Sequence, residues 1–191
     1  MSAHLSTPCM NSPRNITLES EDSISAIIAL GANIPSKIGA PIETLKFARE
    51  SLSELCVGEP VASSDYQTEA LGCIPGSPDF INAVVVIPIS VETDPTELLQ
   101  RLQHLERHCG RDFQQPANSP RPLDLDILCF GELILSRPQL VIPHPRAHER
   151  RFVLEPLAEI APELVLPGQA VSVSKLLDAM PSSPRVRKLN L

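Results

Sequence analysis

The chain has little of what marks membrane proteins and nucleic-acid-binding proteins. Its uninterrupted apolar runs, such as Ala83–Ile87, are far shorter than the roughly 18 residues that a membrane-spanning helix needs. Its formal net charge is −7 at pH 7, so the chain as a whole offers no excess of cations to nucleic-acid phosphates. We therefore expect neither a membrane partner nor a nucleic-acid partner, and any anion site must be a local cluster of arginines.

Paired cysteines and targeting signals are also missing. The five cysteines lie far apart and include no C-x-x-C pair, which favours reduced thiols in a reducing compartment. Residues 1–23 are polar and rich in serine, with neither the apolar core of a secretory signal nor the arginine-rich, acid-poor composition of a transit peptide. We therefore predict a cytoplasmic protein with a disordered tail over residues 1–23 and one domain over residues 24–191.

Strand and helix patterns alternate along that domain. Apolar, β-branched runs predict strands over Ile24–Gly31 and Phe80–Val91, and Pro88 marks an interruption or an edge position in the latter. Another strand is predicted between them, over residues 61–68. Apolar residues at helical spacing predict a helix over Pro41–Leu55.

A second long helix, over residues 93–110, has signals at both ends. Asp94 is placed to cap its start, with Glu97 at capping-box spacing, and Gly110 can end it. Two shorter helices are predicted near the carboxyl end of the chain: Phe152–Ile160 and Ser174–Met180.

Hairpin-like connections accompany this alternation. Leu133–Leu135 is predicted to pair with the apolar strand before it, across a turn at Gly131–Glu132. Strands that alternate with helices and hairpins favour an α+β fold. We predict a ferredoxin-like α/β sandwich with a mainly antiparallel sheet, built on a split βαβ arrangement.

Two aspartates one residue apart stand out in an apolar segment. Side chains alternate faces along a strand, so Leu123, Leu125 and Ile127 share one face, and Asp124 and Asp126 share the other. Carboxylates on Cα atoms about 6.6 Å apart repel each other, and a divalent cation such as Mg²⁺ removes that conflict. A polar strand face in contact with water is the alternative, and the pair alone does not decide between them.

Cationic residues flank this pair in the sequence. Arg121 precedes it, and a short stretch further on contains His144, Arg146, His148, Arg150 and Arg151. Alone, that stretch is as typical of a solvated turn as of a site. Together with the aspartates it indicates half of a polyphosphate site, in which arginines bind anionic oxygens and aspartates bind the metal. No Walker A phosphate-binding motif is present.

Two further patterns allow more than one interpretation. His104 and His108 have i, i+4 spacing on the predicted helix, which suits zinc, but without a third ligand a surface-exposed pair is the stronger interpretation. The tripeptide G-A-N that begins at Gly31 fits either a tight turn near a ligand or a simple turn from strand to loop.

Taken in order, these motifs resemble the 6-hydroxymethyl-7,8-dihydropterin pyrophosphokinase family of folate biosynthesis. The resemblance runs from about Ile24 to about Leu166 and rests on the segments ALGAN, YQTEALG, PDFINAV, QHLERHCGR, PRPLDLDILCFG, PHPRAHERRFVLEPL and EIAPEL. The P-R-x-L-D-L-D-I-L block is highly specific to this family. The resemblance implies transfer of the β,γ-diphosphate of ATP to the pterin hydroxymethyl oxygen, release of AMP, and two Mg²⁺ ions on a ferredoxin-like fold.

The resemblance also implies the site residues. Asp124 and Asp126 would bind both Mg²⁺ ions and act in catalysis with Arg111 and Arg121. Contacts to ATP would come from Gln103, Glu106, Arg121, Ile127, His144 and Arg150. The pterin edge would be recognised by Thr68, Leu71 and Asn82, and its two faces would stack on Phe80 and Phe152. The expected partners are therefore these small molecules, bound by a monomer.

The chain departs from the family pattern mainly in its catalytic loop. Relatives carry further basic residues between the positions of Arg111 and Arg121, and a tryptophan where Asn118 stands, whereas this loop contains no lysine or arginine. Glu69 replaces a common proline, and Pro145 replaces a common aromatic or other bulky residue. One alternative is therefore a domain that binds ATP or pterin with weak turnover. Another is a related metal-dependent phosphotransferase that acts on a different flat alcohol.

Overall fold

The computed structural model describes residues 16–70, 72–183 and 185–190. The strands are β1 (Ser23–Ala32), β2 (Val61–Ala62), β3 (Tyr66–Thr68), β4 (Phe80–Ser90), β5 (Asp124–Phe130), β6 (Leu135–Arg137), β7 (Leu140–Ile142) and β8 (Val186–Lys188). The helices are α1 (Pro41–Ser53), α2 (Pro95–His108), α3 (Arg151–Ile160) and α4 (Val173–Asp178), with a short 3₁₀ turn over Ala147–Glu149. No helix in these described ranges is long and apolar enough to cross a bilayer.

The main sheet has the strand order β5-β1-β4-β3-β8, with β2 also paired to β4. All of its pairings are antiparallel. The order β5-β1-β4-β3 places β4 between two strands that are joined through α1, which is the split βαβ arrangement of ferredoxin-like folds. The predicted α+β sandwich with a mainly antiparallel sheet is therefore confirmed.

Each face of this sheet is covered by a different helical layer. Residues such as Ile28, Val85 and Leu125 pack against α1 and α2 on one face. Residues such as Ile27 and Val84 pack against α3 and α4 on the other. Because both faces of the central strands are buried, β1 and β4 are almost continuously apolar, as their sequences indicate.

The predicted strand over residues 61–68 is divided in two. Val61 and Ala62 pair with β4 as β2, and the pairing resumes one residue out of step in β3. Between them the Ser63 amide donates to the Val84 carbonyl, while the Ser63 hydroxyl accepts from the Val84 amide. The serine side chain thus replaces a backbone partner, which accommodates an extra residue as a β-bulge does.

Two predicted local pairings differ in the structure. Leu135 belongs to β6, which pairs with β7 in a separate two-stranded sheet and not with β5. The reason is the turn after Phe130, where the Leu133 amide bonds the Phe130 carbonyl and the chain then leaves the main sheet. At the start of α2, Asp94 caps the Thr96 amide as predicted, but Glu97 pairs with Arg101 instead of completing a capping box.

Both ends of the described chain contain structure that the sequence did not predict. The predicted tail reached residue 23, yet Leu18 is buried against the α3 layer, and its carbonyl accepts from the Ser25 amide. Residues 1–15 of that tail lie outside the described residues. Strand β8 was not predicted, and it extends the sheet by pairing with β3, whose Tyr66 lies opposite Lys188.

Candidate active site

One end of the α3-covered sheet face is open and forms a cavity of about 480 Å³. Most of the residues predicted for the site line it: Thr68, Phe80, Asn82, Arg121, Asp124, Asp126, His144, Arg150 and Phe152. Its wall also includes Gly31, Glu69, Cys73, Asn118 and Arg146. Residues that lie far apart in the sequence therefore meet in one place.

The two aspartates lie side by side on the floor of the cavity. Leu125 and Ile127 belong to the core under α1 and α2, so Asp124 and Asp126 must point the other way. On the neighbouring strand β1 the residues opposite them are Gly31 and Ala29. Such small neighbours leave the carboxylates accessible from the cavity.

Three guanidinium groups pair with these carboxylates. Asp124 Oδ1 lies 3.3 Å from Arg111 Nη1, and Asp124 Oδ2 lies 3.5 Å from Arg121 Nη1. Asp126 Oδ2 lies 3.4 Å from Arg150 Nη1 and 3.9 Å from His144 Nε2. The predicted acidic and basic halves of the site are thus in contact.

Burial and the charge of Asp126 raise the pKa of Asp124 above its ordinary value, although Arg121 and Arg111 act in the opposite direction. Burial lowers the pKa of His144, against the opposing effect of Asp126, which favours the neutral imidazole. The site therefore holds two carboxylates at an energetic cost, which a bound cation would relieve.

The end of α2 positions Arg111. Gly110 has a φ of 98°, a backbone conformation that favours glycine, and its amide bonds the Arg107 carbonyl. The Arg111 amide bonds the Glu106 carbonyl, which completes a Schellman motif. The helix thus ends where the sequence predicts, and its last turn directs Arg111 toward Asp124.

A bulge in β5 positions the histidine and Arg150 side of the cavity. Ile127 lies opposite Ile28, but Cys129 lies opposite Ile27, so Leu128 is the extra residue. The Leu128 carbonyl accepts from the His144 amide. The bulge therefore joins the strand that carries the aspartates to the segment that carries His144 and Arg150.

The opposite side of the cavity carries aromatic and amide groups. Phe80 at the start of β4 and Phe152 at the start of α3 both line it. Asn82 donates from Nδ2 to Thr68 Oγ1 at 3.1 Å, and both residues are buried. A Cβ placed on Gly31 would lie 3.1 Å from Asn82 Oδ1 and 3.8 Å from the Phe80 ring, so only glycine leaves this space open. Leu71, the remaining predicted pterin contact, lies outside the described residues.

Three predicted ATP contacts do not line the cavity. Ile127 points into the core under α1 and α2, and Gln103 is half-buried on α2. Glu106 is buried, and its Oε1 accepts from the Leu125 amide at 2.9 Å. Burial raises the pKa of Glu106 to about 7. The structure thus brings most, but not all, of the predicted set together.

The loop between Arg111 and Arg121, predicted to be catalytic, contributes one residue to the cavity wall. Asn118 has a φ of 64° and lines the cavity. Phe113 is half exposed, and the guanidinium carbons of Arg107 and Arg111 each lie 5.8 Å from the centre of its ring. Elsewhere, the His108 ring stacks on Phe47, with ring centres 5.6 Å apart, on the far side of the sheet. That stack favours the surface interpretation of the histidine pair.

Sequence reasoning missed two residues of the site region. Arg146 lines the cavity, and no carboxylate of the described residues lies within ion-pair distance of it, although the sequence only counted it within a cationic stretch. Asn33 is buried and bonds backbone groups on two sides of the cavity. The sequence pattern that could have indicated Asn33 is the G-A-N tripeptide, for which the sequence alone left two interpretations open.

Comparison with known proteins agrees with the resemblance. Residues 27–162 match the model of the 7,8-dihydro-6-hydroxymethylpterin-pyrophosphokinase family. The 2-amino-4-hydroxy-6-hydroxymethyldihydropteridine pyrophosphokinase of Haemophilus influenzae is 40% identical over 149 residues, covering 78% of this chain and 88% of the relative. The Synechocystis protein of the same name is 39% identical over 155 residues, covering 80% of this chain and 74% of the relative.

Solved structures share the fold at low identity. A Plasmodium falciparum HPPK-DHPS structure has a TM-score of 0.61 and 15% identity, covering 84% of this chain and 43% of that one. The chain thus spans less than half the length of that larger protein. Because the family model and the relatives both extend over most of the chain, the chain belongs to the 7,8-dihydro-6-hydroxymethylpterin-pyrophosphokinase family.

Proposed function

We propose that the chain transfers the β,γ-diphosphate of ATP to the hydroxymethyl oxygen of 6-hydroxymethyl-7,8-dihydropterin, giving the pterin diphosphate and AMP. This is the known reaction of its family. The observation that carries the proposal is the composition of the cavity on the α3-covered face. One side presents two carboxylates among arginines, and the other presents two aromatic rings beside a buried amide.

The carboxylates are suited to hold Mg²⁺. Asp124 and Asp126 face the same cavity, and burial together with the charge of Asp126 raises the pKa of Asp124. Hard cations of this kind take one or two carboxylates together with substrate phosphates. We propose two ions here; when bound, they would neutralise phosphate charge and make the substrate hydroxyl more acidic.

The arginines would bind the triphosphate. Arg111, Arg121 and Arg150 now pair with the aspartates, and each would exchange that partner for phosphate oxygens as the carboxylates bind metal. Diphosphate transfer requires mainly positioning and charge neutralisation, so no covalent nucleophile is needed. His144 at the same wall can donate a hydrogen bond and, when neutral, can also accept one.

The aromatic side would bind the pterin. Phe80 and Phe152 offer ring faces for stacking on a flat heterocycle. Asn82 is fixed by Thr68, and its amide can both donate and accept along the pterin edge. Leu71 is proposed as a further contact from the sequence alone.

The adenine end of ATP is assigned to the region beside α2. Gln103, Glu106 and Ile127 stay proposed contacts of the nucleotide, although none of them lines the cavity. The nucleotide would therefore extend past Arg111, beyond the edge of the described cavity. We also propose that the chain acts as a monomer in the cytoplasm, where its buried Cys109 and Cys129 thiols would stay reduced.

The test is an AMP-release assay with ATP, Mg²⁺ and the hydroxymethyl-dihydropterin. AMP should form in equal amount to the pterin diphosphate, and it should not form without pterin or with excess chelator. Tight calorimetric binding of ATP and pterin without AMP would support a binding domain with weak turnover, which the absence of lysine and arginine from residues 112–120 favours. AMP formation with other flat alcohols only would support the related phosphotransferase.

A further inference from the structure

Asn33 connects the two sides of the cavity through its own side chain. Its Oδ1 accepts from the Arg121 amide at 2.7 Å, and its Nδ2 donates to the Pro78 carbonyl at 3.1 Å. Its backbone amide also donates to the Arg121 carbonyl at 3.1 Å. The residue is only 3% exposed, so these bonds are shielded from water.

The two partners of Asn33 belong to the two functional sides of the cavity. Arg121 pairs with Asp124 on the anionic side. Pro78 lies two residues before Phe80, at the start of the strand that forms the aromatic side. The Arg121 guanidinium carbon also lies 5.3 Å from the centre of the Phe80 ring, so the two sides also contact each other directly. We call the Asn33 side chain with its bonds to Arg121 and Pro78 the Asn33 bridge.

We propose that Asn33 is a positioning residue that couples the two substrate subsites, by fixing the Arg121 segment relative to the Phe80 segment. This inference rests on the proposed function, since it assigns the two sides to phosphate and pterin. An amide suits the position because it accepts with one atom and donates with the other. A carboxylate would lack the donor, and an apolar side chain would lack both groups.

The positions of Pro78 and Arg121 show why a side chain is needed to connect the two segments. The segment before β4 has no strand partner at residue 78, since the pairing of β4 with β3 begins at Phe80. The Arg121 segment likewise precedes β5, which begins at Asp124. Both segments lie outside the sheet ladder, so Asn33 supplies a connection that the ladder does not.

Two substitutions separate the two sides of the bridge. Asn33→Asp keeps an acceptor for the Arg121 amide and loses the donor to Pro78, whereas Asn33→Ala loses both. We expect the pterin KM to rise by about tenfold in both variants. A rise in the ATP KM and faster hydrogen exchange at the Arg121 amide should occur in Asn33→Ala only. Asn33→Asp adds a negative charge and Asn33→Ala does not. A rise in the pterin KM that both variants share must therefore come from the lost bond to Pro78.

The matched controls are Asn190→Asp and Asn190→Ala, at an exposed amide in the carboxyl-terminal segment. Their KM values and hydrogen exchange at the Arg121 amide should equal those of the wild type. Unchanged KM values in Asn33→Ala, with only a lower Tm, would make Asn33 a purely structural residue and overturn the proposal. If Asn33→Ala does not fold, an unchanged pterin KM in Asn33→Asp overturns it equally. Failure of the wild type to form AMP would instead contradict the proposed function, and hydrogen exchange would still test the bridge.

Discussion

The α3-covered sheet face has two ends that differ in chemistry although the same strands form both. At the covered end, Ile27, Val86 and Leu128 pack under α3 and α4. At the open end, the same strands present Gly31, Asn82 and Asp126 to the cavity. Each strand therefore changes from apolar to small or polar along its length.

This difference shows where the molecule is stabilised and where it is functional. The covered end buries apolar surface, which favours folding by about 25 cal/mol for each Å² removed from water. The open end buries Asp124 beside the charge of Asp126, and the raised pKa of Asp124 reflects both the burial and that charge. Substitutions at the two ends should therefore affect stability and activity in opposite proportions.

The largest expected effect is on activity, at the open end. Asp126→Asn should lower kcat/KM in the AMP-release assay by about a thousandfold, since it removes a carboxylate that would hold the Mg²⁺ ions. The free energy of unfolding without substrates should change little, because relief of the repulsion on Asp124 offsets the lost pairing with Arg150. Asp178→Asn, at an exposed carboxylate, is the control. Full activity in Asp126→Asn would end the assignment of this carboxylate to the metal.

The next effect is on stability, at the covered end of the same strand. Leu128 is fully buried, so Leu128→Ala should lower the free energy of unfolding by about 3 kcal/mol, measured in urea. Its kcat/KM should change by less than about threefold, because the bond from the His144 amide goes to the Leu128 backbone. Ile134→Ala, at an exposed aliphatic residue, should be near neutral. A large loss of activity in folded Leu128→Ala would remove the distinction between the two ends.

A third effect depends on pH. The pKa of Glu106 is raised from 4.5 to about 7, mainly by burial, so the folded state favours its protonated form. That contribution is fully present below pH 4.5 and is lost as pH rises through about 7. Glu106→Gln should therefore exceed the wild type in unfolding free energy at pH 8 by on the order of 3 kcal/mol more than at pH 4.5.

Glu59→Gln, at an exposed carboxylate, is the control for the loss of one carboxylate. Urea unfolding at both pH values measures the effect. Equal pH dependence of the wild type and Glu106→Gln would show that Glu106 titrates normally in the folded state.

The smallest expected effect is at Gly31. Gly31→Ala would bring a methyl group to within 3.1 Å of Asn82 Oδ1, so the pterin KM should rise by about tenfold while the ATP KM stays the same. Gly58→Ala, where the nearest atom is 3.4 Å away on Pro88, is the control. An unchanged pterin KM would mean that the pterin does not bind beside Gly31 and Asn82.

Local patterns were sufficient to predict those parts of the fold that depend on neighbouring residues. The alternation Leu-Asp-Leu-Asp-Ile predicted which way Asp124 and Asp126 point, and Gly110 predicted the end of α2. The bulges at Ser63 and Leu128 were not predictable, because each depends on a partner strand elsewhere in the chain. Strand β8 was missed for the same reason, since a three-residue strand carries too little pattern of its own.

The residue types that form the site were predictable from the sequence, but the hydrogen bonds that connect its two sides were not. The aspartates, arginines and phenylalanines were found because their residue types stand out from the surrounding sequence. Asn33 was not, because an asparagine after a strand has many roles, and only the positions of Arg121 and Pro78 distinguish them.

The most direct test of the account is a crystal of the chain grown with Mn²⁺, a non-hydrolysable ATP analogue and the pterin. Anomalous scattering locates Mn²⁺, which replaces Mg²⁺ at sites of oxygen ligands. We predict anomalous peaks from Mn²⁺ ions that are bound by both Asp124 and Asp126, and we predict that the pterin lies between Phe80 and Phe152. Peaks elsewhere, with both carboxylates still paired to their arginines and the pterin outside the cavity, would contradict the account.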